Sequence, residues 1–200
     1  MMSLLVAIAE DPKAAMQLLA AEPARATAVL EIGGTRHTSK PFFLDAIRHQ
    51  VYAGDTALHI AAAAYRLPLI RQLLTLGADV RATNRRGHTP LHCATRGGPG
   101  SPGWDPREQV AAIAALIAAG ADPNAFDGNG TPPLHRAVRN RCAAAVGALL
   151  DGGADPRRKN GSGSTVKQLA TMTTGRGGTG SPAAKAEQAE ILRLLASALK

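Results

Sequence analysis

The sequence predicts an all-α solenoid of stacked helix-turn-helix units, with β-hairpin turns between the units and helical caps at the ends. Two recurring landmarks predict it. Gly54, Gly87 and Gly130 each stand five residues ahead of a histidine, namely His59, His92 and His135. In step with them, Gly-Ala-Asp recurs at residues 77–79, 120–122 and 153–155. His59 and His92 lie 33 residues apart, whereas His92 and His135 lie 43 apart. The surplus falls on GGPGSPGWDP, residues 97–106, a run of helix breakers. With that run set aside the period is uniform, and a period of this size marks stacked units that cannot bury an apolar face alone.

The second unit shows why each element forms. Thr89 is placed to cap a first helix by accepting a backbone N–H. Pro90 suits the first helical turn, where its missing N–H costs nothing. Leu91 and Ala94 then face inward. The second helix reads EQVAAIAALIAAG, in which Val110, Ile113, Leu116 and Ile117 recur at three- and four-residue steps. Gly120 ends it at a position suited to positive φ. Both helices are shorter than the ~12–15 residues that persist alone in water. Neighbouring units must therefore cover them. The following ADPNAFDGNG, rich in Asp, Pro, Asn and Gly, makes the turn to the next unit.

The pattern Gly87, Thr89, Pro90, Leu91, His92, Ala94, then Leu116 and Gly120, Ala121, Asp122, Asn124, resembles the ankyrin repeat. The resemblance covers roughly residues 52–200. It divides the chain into repeats at 54–86, 87–129 (with the inserted loop), 130–162 and 163–200 (with a second loop). Residues 1–53 read as an N-terminal helical cap or degenerate repeat carrying an insertion. Repeat 1 has Ala57 in place of proline, and repeat 3 has Pro132 in place of threonine. Repeat 4 keeps Gly163, Thr165 and Ala170 but has Val166 and Gln168 in place of proline and histidine.

The resemblance implies structural roles for His59, His92 and His135, each imidazole bonding backbone near the adjacent turn with a threonine steadying it. One histidine per layer cannot share a metal ion, because stacked helices stand ~8–10 Å apart and zinc–nitrogen bonds are ~2 Å. No metal site, cofactor fingerprint, paired carboxylates or nucleophile elbow is visible, so no catalytic residue and no cofactor is expected. Cys93 reads as a small buried filler.

Composition narrows the rest. Hydrophobic residues make up 45% but aromatics only 3%, so Ala, Leu, Val and Ile must build the core. Two cysteines at unlike repeat positions give no disulfide framework and favour a reducing compartment. The start, MMSLLVAIAEDPK, lacks the basic region of a signal peptide, and no apolar stretch has the length of a membrane span. A cytoplasmic monomer is expected.

At the N-terminus, SLLVAIAE reads as one helix, and Asp11 caps a second in which Met16 and Leu19 point inward. EPARA imitates a turn. PFFLDAIRHQVY reads as a further helix with Phe42, Phe43, Ala46, Ile47 and Val51 on one face. At the C-terminus, Ala189, Leu192, Leu195 and Leu199 suit an apolar stripe, and Lys185, Glu187, Glu190, Arg193 and Lys200 a solvated face. The two insertions share Gly-Gly-x-Gly-Ser-Pro and are expected to project from one edge as lengthened loops. Trp104 in the first reads either as an exposed interface anchor or as a side chain folded over the next helix.

The resemblance implies binding of a macromolecule, usually a protein, on a concave face formed by turn tips and first helices. The contact residues placed there by register are Tyr52, Asp55, Arg85, Arg86, His88, Arg96, Asn129, Arg139 and Asn140, with Phe126 and Arg158 on turns and Trp104 on the insertion. No matching acid is apparent at these tips. With a formal charge of +8, an acidic protein segment is the expected partner. Nucleic acid or another polyanion is the alternative, opposed by the lack of regular aromatic interleaving.

Overall fold

The computed structural model describes residues 1–35, 38–101, 103–172 and 182–200. Helices pair along the chain. The first pair is α1 (Met2–Glu10) and α2 (Pro12–Ala21). A short hairpin of β1 (Phe43–Leu44) and β2 (His49–Gln50) follows. Then come α3 (Ala57–Ala63) with α4 (Leu67–Thr75), and α5 (Pro90–Ala94) with α6 (Pro106–Ala118). Last are α7 (Pro133–Arg139) with α8 (Ala143–Asp151), and α9 (Val166–Thr171) with α10 (Pro182–Ala198). First helices stack on first helices, α3 on α5 and α7 on α9, while α4, α6, α8 and α10 form a second layer behind them.

The helices start where side chains satisfy their orphan N–H groups. Asp11 accepts from the N–H groups of Lys13 and Ala14 at 3.1 Å each, and Asp105 accepts from Arg107 at 2.7 Å and Glu108 at 3.2 Å. Helix α5 has only five residues, so its stability comes from packing. Its Leu91, Cys93 and Ala94 are buried, and the helix packs between α3 of the preceding layer and α7 of the next. Alanine at these positions lets thin layers approach. Ile113, Leu116, Val146 and Leu149 fill the seam between second-layer helices. Each such Leu or Ile contributes about 1.5–3 kcal/mol on burial.

Turns join neighbouring layers. Asn84 accepts through Oδ1 from the N–H groups of Arg86 (2.9 Å) and His88 (3.1 Å). Asp127 does the same for Asn129 and Thr131, and Asn160 for Ser162 and Ser164. The tips then bond to one another: Arg85 N–H to the Ala53 carbonyl at 2.8 Å, Gly128 to Arg86 at 2.8 Å, Gly161 to Gly130 at 2.7 Å. Gly87 (φ 69°) permits this approach, because a Cβ there would lie 2.3 Å from the Gly128 nitrogen. The predicted β-hairpins between repeats do not form strands among the described residues; side-chain closure of each turn leaves only isolated bridges, Val29 with Thr56 and Lys159 with Thr165.

Other expectations change. Residues 43–50 form the β1–β2 hairpin around a 3₁₀ turn at Asp45–Ile47, not an α-helix. Phe43 pairs with Gln50 and Leu44 with His49, and Arg48 turns the chain at φ 47°. The Gln50 side chain donates to the Phe42 carbonyl at 2.9 Å. The hairpin buries Leu44 and Val51 while leaving Phe43 exposed. EPARA winds into a 3₁₀ turn. Met16 faces outward, and Ala15 takes the inward position beside Leu19. On α10 the buried stripe is Ile191 and Leu195, rotated from the expected one, and Ala189 is exposed. Glu187 leaves the solvated face to accept from the Ala143 N–H at 2.7 Å, capping α8. The second Gly-Ser-Pro insertion lies outside the described residues.

Candidate functional site: a basic groove along the turns

Three buried histidines form a ladder through the first-helix layer. The Nε2 of His59 lies 2.9 Å from the His88 carbonyl oxygen, that of His92 lies 3.0 Å from the Thr131 oxygen, and that of His135 lies 3.0 Å from the Ser164 oxygen. Each partner sits in the next repeat's turn. A carbonyl can only accept, so Nε2 carries the proton and Nδ1 is left as an acceptor. Thr56 supplies Nδ1 of His59 with its N–H at 3.2 Å and its hydroxyl at 2.9 Å. Thr89 does so for His92 at 3.2 and 2.8 Å. Pro132 has neither group, and Nδ1 of His135 is buried without a partner. In the last copy Gln168 closes the capping box with Thr165. Burial holds the imidazole of His59 below its usual range and that of His92 at about 4.

Beside the ladder, turn tips and first helices enclose a groove of about 540 Å³. Its lining includes Tyr52, Arg86, His88, Arg96, Asn129, Arg139 and Asn140, all placed there by the repeat register, together with Thr131 and Ser162. The Arg86 guanidinium carbon stands 5.7 Å from the centre of the Tyr52 ring, and that of Arg85 5.4 Å. Arg85 also donates to the Gly34 carbonyl. Asn140 donates to the Thr95 carbonyl at 2.8 Å, and Arg96 to the Arg48 carbonyl at 3.0 Å.

Sequence reasoning missed the floor. Arg136 donates through Nη1 to Nε2 of His88 at 2.7 Å and stands 3.5 Å from Asp127. Burial first, then Arg136, depress the His88 imidazole to about 3. It is neutral at pH 7, so its 3.6 Å approach to Asp127 is not an ion pair. Burial pushes the Asp127 carboxyl upward, but the Thr131 and Asn129 N–H groups outweigh that and hold it below the usual range. Thus one acid does stand among the tips, committed to Arg136 and to its own turn. The signal for Arg136 was faint: a cation one residue after His135, where the earlier copies have Ile60 and Cys93.

Like Arg85, four further expected contact residues stand away from the groove lining. Asp55 is wholly buried and accepts from the Tyr52 N–H at 2.7 Å and from Asn84 Nδ2 at 2.7 Å. It presents nothing to a partner. Trp104 folds back: its Nε1 donates to buried Gln109 at 2.8 Å, outside the groove. Phe126 and Arg158 stack on each other on the turns, 4.3 Å from guanidinium carbon to ring centre, and do not line the groove. Cys93 is buried, and its thiol is pushed up to about 12 by that burial. No group of three or more His, Cys, Asp or Glu among the described residues could hold a metal ion. No described helix is long and apolar enough to cross a membrane.

Comparison with known proteins points the same way. A family model for ankyrin repeats (3 copies) matches residues 4–102, one for ankyrin repeats (many copies) matches 116–170, and one for the single ankyrin repeat matches 86–128. Such repeats are generally protein–protein interaction modules. Curated relatives include Notch-regulated ankyrin repeat-containing protein A of Danio rerio and the Notch-regulated ankyrin repeat-containing proteins of Xenopus tropicalis and Homo sapiens. Each is 44% identical over 45 residues, 22% of this chain. The match spans 40% of the length of each of these relatives.

Proposed function

The chain belongs to the ankyrin-repeat family, and from that premise we propose that it is a non-catalytic protein-interaction scaffold whose basic concave groove holds an acidic protein segment. One observation carries this reading. Arg86, Arg96, Arg136 and Arg139 converge on a single groove whose one carboxylate, Asp127, is already engaged. Arg86 and Arg139 are exposed at its rim. Rim charges accelerate encounter with a segment of opposite sign, and the Asn129 and Asn140 amides add both donors and acceptors along the path.

The competing reading is a nucleic acid or other polyanion, favoured by the net charge of +8. Tyr52 is the sole aromatic ring that borders the groove besides His88, which is a poor platform for successive bases.

Binding of a fluorescein-labelled oligoglutamate peptide and of a labelled single-stranded oligonucleotide, each across a salt series, separates the two. The peptide is expected to bind with a modest salt dependence. The double change Arg86→Glu with Arg139→Glu is expected to weaken it about tenfold or more and to flatten that dependence. Unchanged peptide affinity in the double variant removes the groove from consideration. Tighter oligonucleotide binding with a steep salt slope establishes the polyanion reading instead.

A further inference from the structure

The two departures from the repeat pattern meet in space. The hairpin after α2 brings Ile47 and Arg48, and the insertion before α6 brings Gly97 and Trp104, to the lining of one cavity of about 270 Å³. Tyr65 also lines it, in a left-handed conformation, φ 56°, which is uncommon and costly for a bulky residue.

Buried Gln109 fixes the two aromatic walls. Its Oε1 accepts from Trp104 Nε1 at 2.8 Å, and its Nε2 donates to the Ala94 and Arg96 carbonyls at 2.9 Å each, with the Tyr65 hydroxyl at 3.3 Å. The Tyr65 hydroxyl in turn donates to the Arg96 carbonyl. Gly97 closes the loop over them, since a Cβ there would sit 2.7 Å from the Tyr65 hydroxyl oxygen and 3.4 Å from the Trp104 ring. The aromatic walls are therefore pre-positioned by hydrogen bonds and close packing.

Three arginines line the same space, Arg48, Arg66 and Arg96. Among the described residues none of the three forms an ion pair. The Arg96 side chain donates to the Arg48 carbonyl at 3.0 Å, tying insertion to hairpin. Nε of Arg66 is buried with no acceptor, an arrangement that costs free energy until an acceptor arrives. The one acid on the lining, Glu108, is exposed.

We propose that this cavity is a second binding site, for a carboxylate carried on a short aromatic or aliphatic body. The carboxylate meets Arg66, with Arg48 and Arg96 beside it, and the body lies against the wall to which Tyr65 and Trp104 contribute. Arginine suits this because its fork of donors matches the two carboxylate oxygens. The cavity falls just below the ~300–1,000 Å³ of sites for drug-sized ligands, so it fits a group the size of phenylacetate. Two sources share that chemistry: a free small organic acid, or an acidic side chain of a protein segment lying along the adjoining groove, which also borders Arg96. The site stands without the groove reading, because its test needs no protein partner.

Trp104, the chain's one tryptophan, reports on its own wall. The full chain is titrated with phenylacetate, and both tryptophan emission and heat of binding are followed. A saturable response is expected, with phenylacetamide binding about tenfold or more weakly for want of the charge. Arg66→Gln and Arg48→Gln are each expected to weaken phenylacetate about tenfold. Arg48 is exposed in a turn, so the second variant keeps the test open should the first fold poorly. Adding the oligoglutamate peptide identifies the source. Mutual displacement points to a partner's side chain, and simultaneous binding to a free acid, both upholding the site. No saturable response in either readout, equal binding of phenylacetamide, or unaltered affinity in both variants overturns the proposal.

Discussion

Nε2 of His92 lies 3.0 Å from the carbonyl oxygen of Thr131, across the boundary between two repeats. This bond, repeated from His59 to His88 and from His135 to Ser164, explains where the sequence keeps a histidine. Each is retained where another turn follows to be bonded. In the last repeat no turn follows among the described residues, and Gln168 performs only the local half of the role by capping with Thr165. His92→Ala is expected to cost about 2–4 kcal/mol, the sum of a buried void and orphaned polar groups at Thr89 and Thr131. Gln168→Ala, at an exposed helix start, is expected to cost about 1 kcal/mol or less. Urea unfolding of the two variants measures the contrast. Equal losses would show that the inter-repeat bond adds nothing.

Pro132 leaves Nδ1 of His135 without a donor, whereas Thr56 and Thr89 each give the corresponding nitrogen two. Pro132→Thr is expected to stabilise the protein by about 1 kcal/mol. The gain from two buried hydrogen bonds exceeds the ~0.4–1 kcal/mol lost because threonine leaves the unfolded chain freer than proline does. The backbone there, φ −70° and ψ 158°, is one that threonine adopts at the same position in repeat 2, φ −88° and ψ 167°. A lowered urea midpoint would refute this reading of the departure from the pattern.

Much of the stack was legible because its signals are local and repeated. Thr89, Pro90 and the helix-two aliphatics each announce an element, and seven register-placed residues do border one groove. What failed lacked a second copy to compare with. Residues 42–51 occur once, and their apolar spacing fits a helix face until the pairing of Phe43 with Gln50 is known. Asp55 shares its register with His88 and Thr131, which border the groove, yet it bonds to the Tyr52 N–H and to the Asn84 side chain of the next turn and is drawn inside. Arg136 was invisible for the opposite reason: its neighbours His88 and Asp127 come from other turns, and only the stacked fold joins them.

The buried histidines set a direction for the pH dependence of stability. His49, His59, His88, His92 and His135 all have imidazoles held below the ordinary value, first by burial. His49 is the extreme case, with both ring nitrogens buried and unpartnered. Unfolding lets these rings take up protons that the folded state refuses, so stability rises with pH wherever the unfolded chain binds more. The histidine contribution is therefore full above about 6.5, the ordinary histidine value. It is expected to fall steadily as pH drops from there toward 4. Thermal midpoints across that range test it, and a flat profile would contradict the burial of these rings.

Gln109 is wholly buried and is the shared partner of Trp104, Ala94, Arg96 and Cys142, whose Sγ lies 3.0 Å from its Oε1. Gln109→Leu conserves bulk but removes every one of those bonds. The orphaned groups belong mostly to the insertion and to the end of α5, not to the helix seam, where Ile113 and Leu116 stay packed. The cost, about 2–3 kcal/mol from unsatisfied buried groups, is thus expected to appear as local release of residues 97–104. Tryptophan emission should shift to the red while the helical circular dichroism keeps its amplitude in the absence of denaturant. If emission stays where it is in the wild type, packing against Tyr65 and Gly97 holds Trp104 by itself, and the pre-positioned wall of the carboxylate cavity does not depend on Gln109.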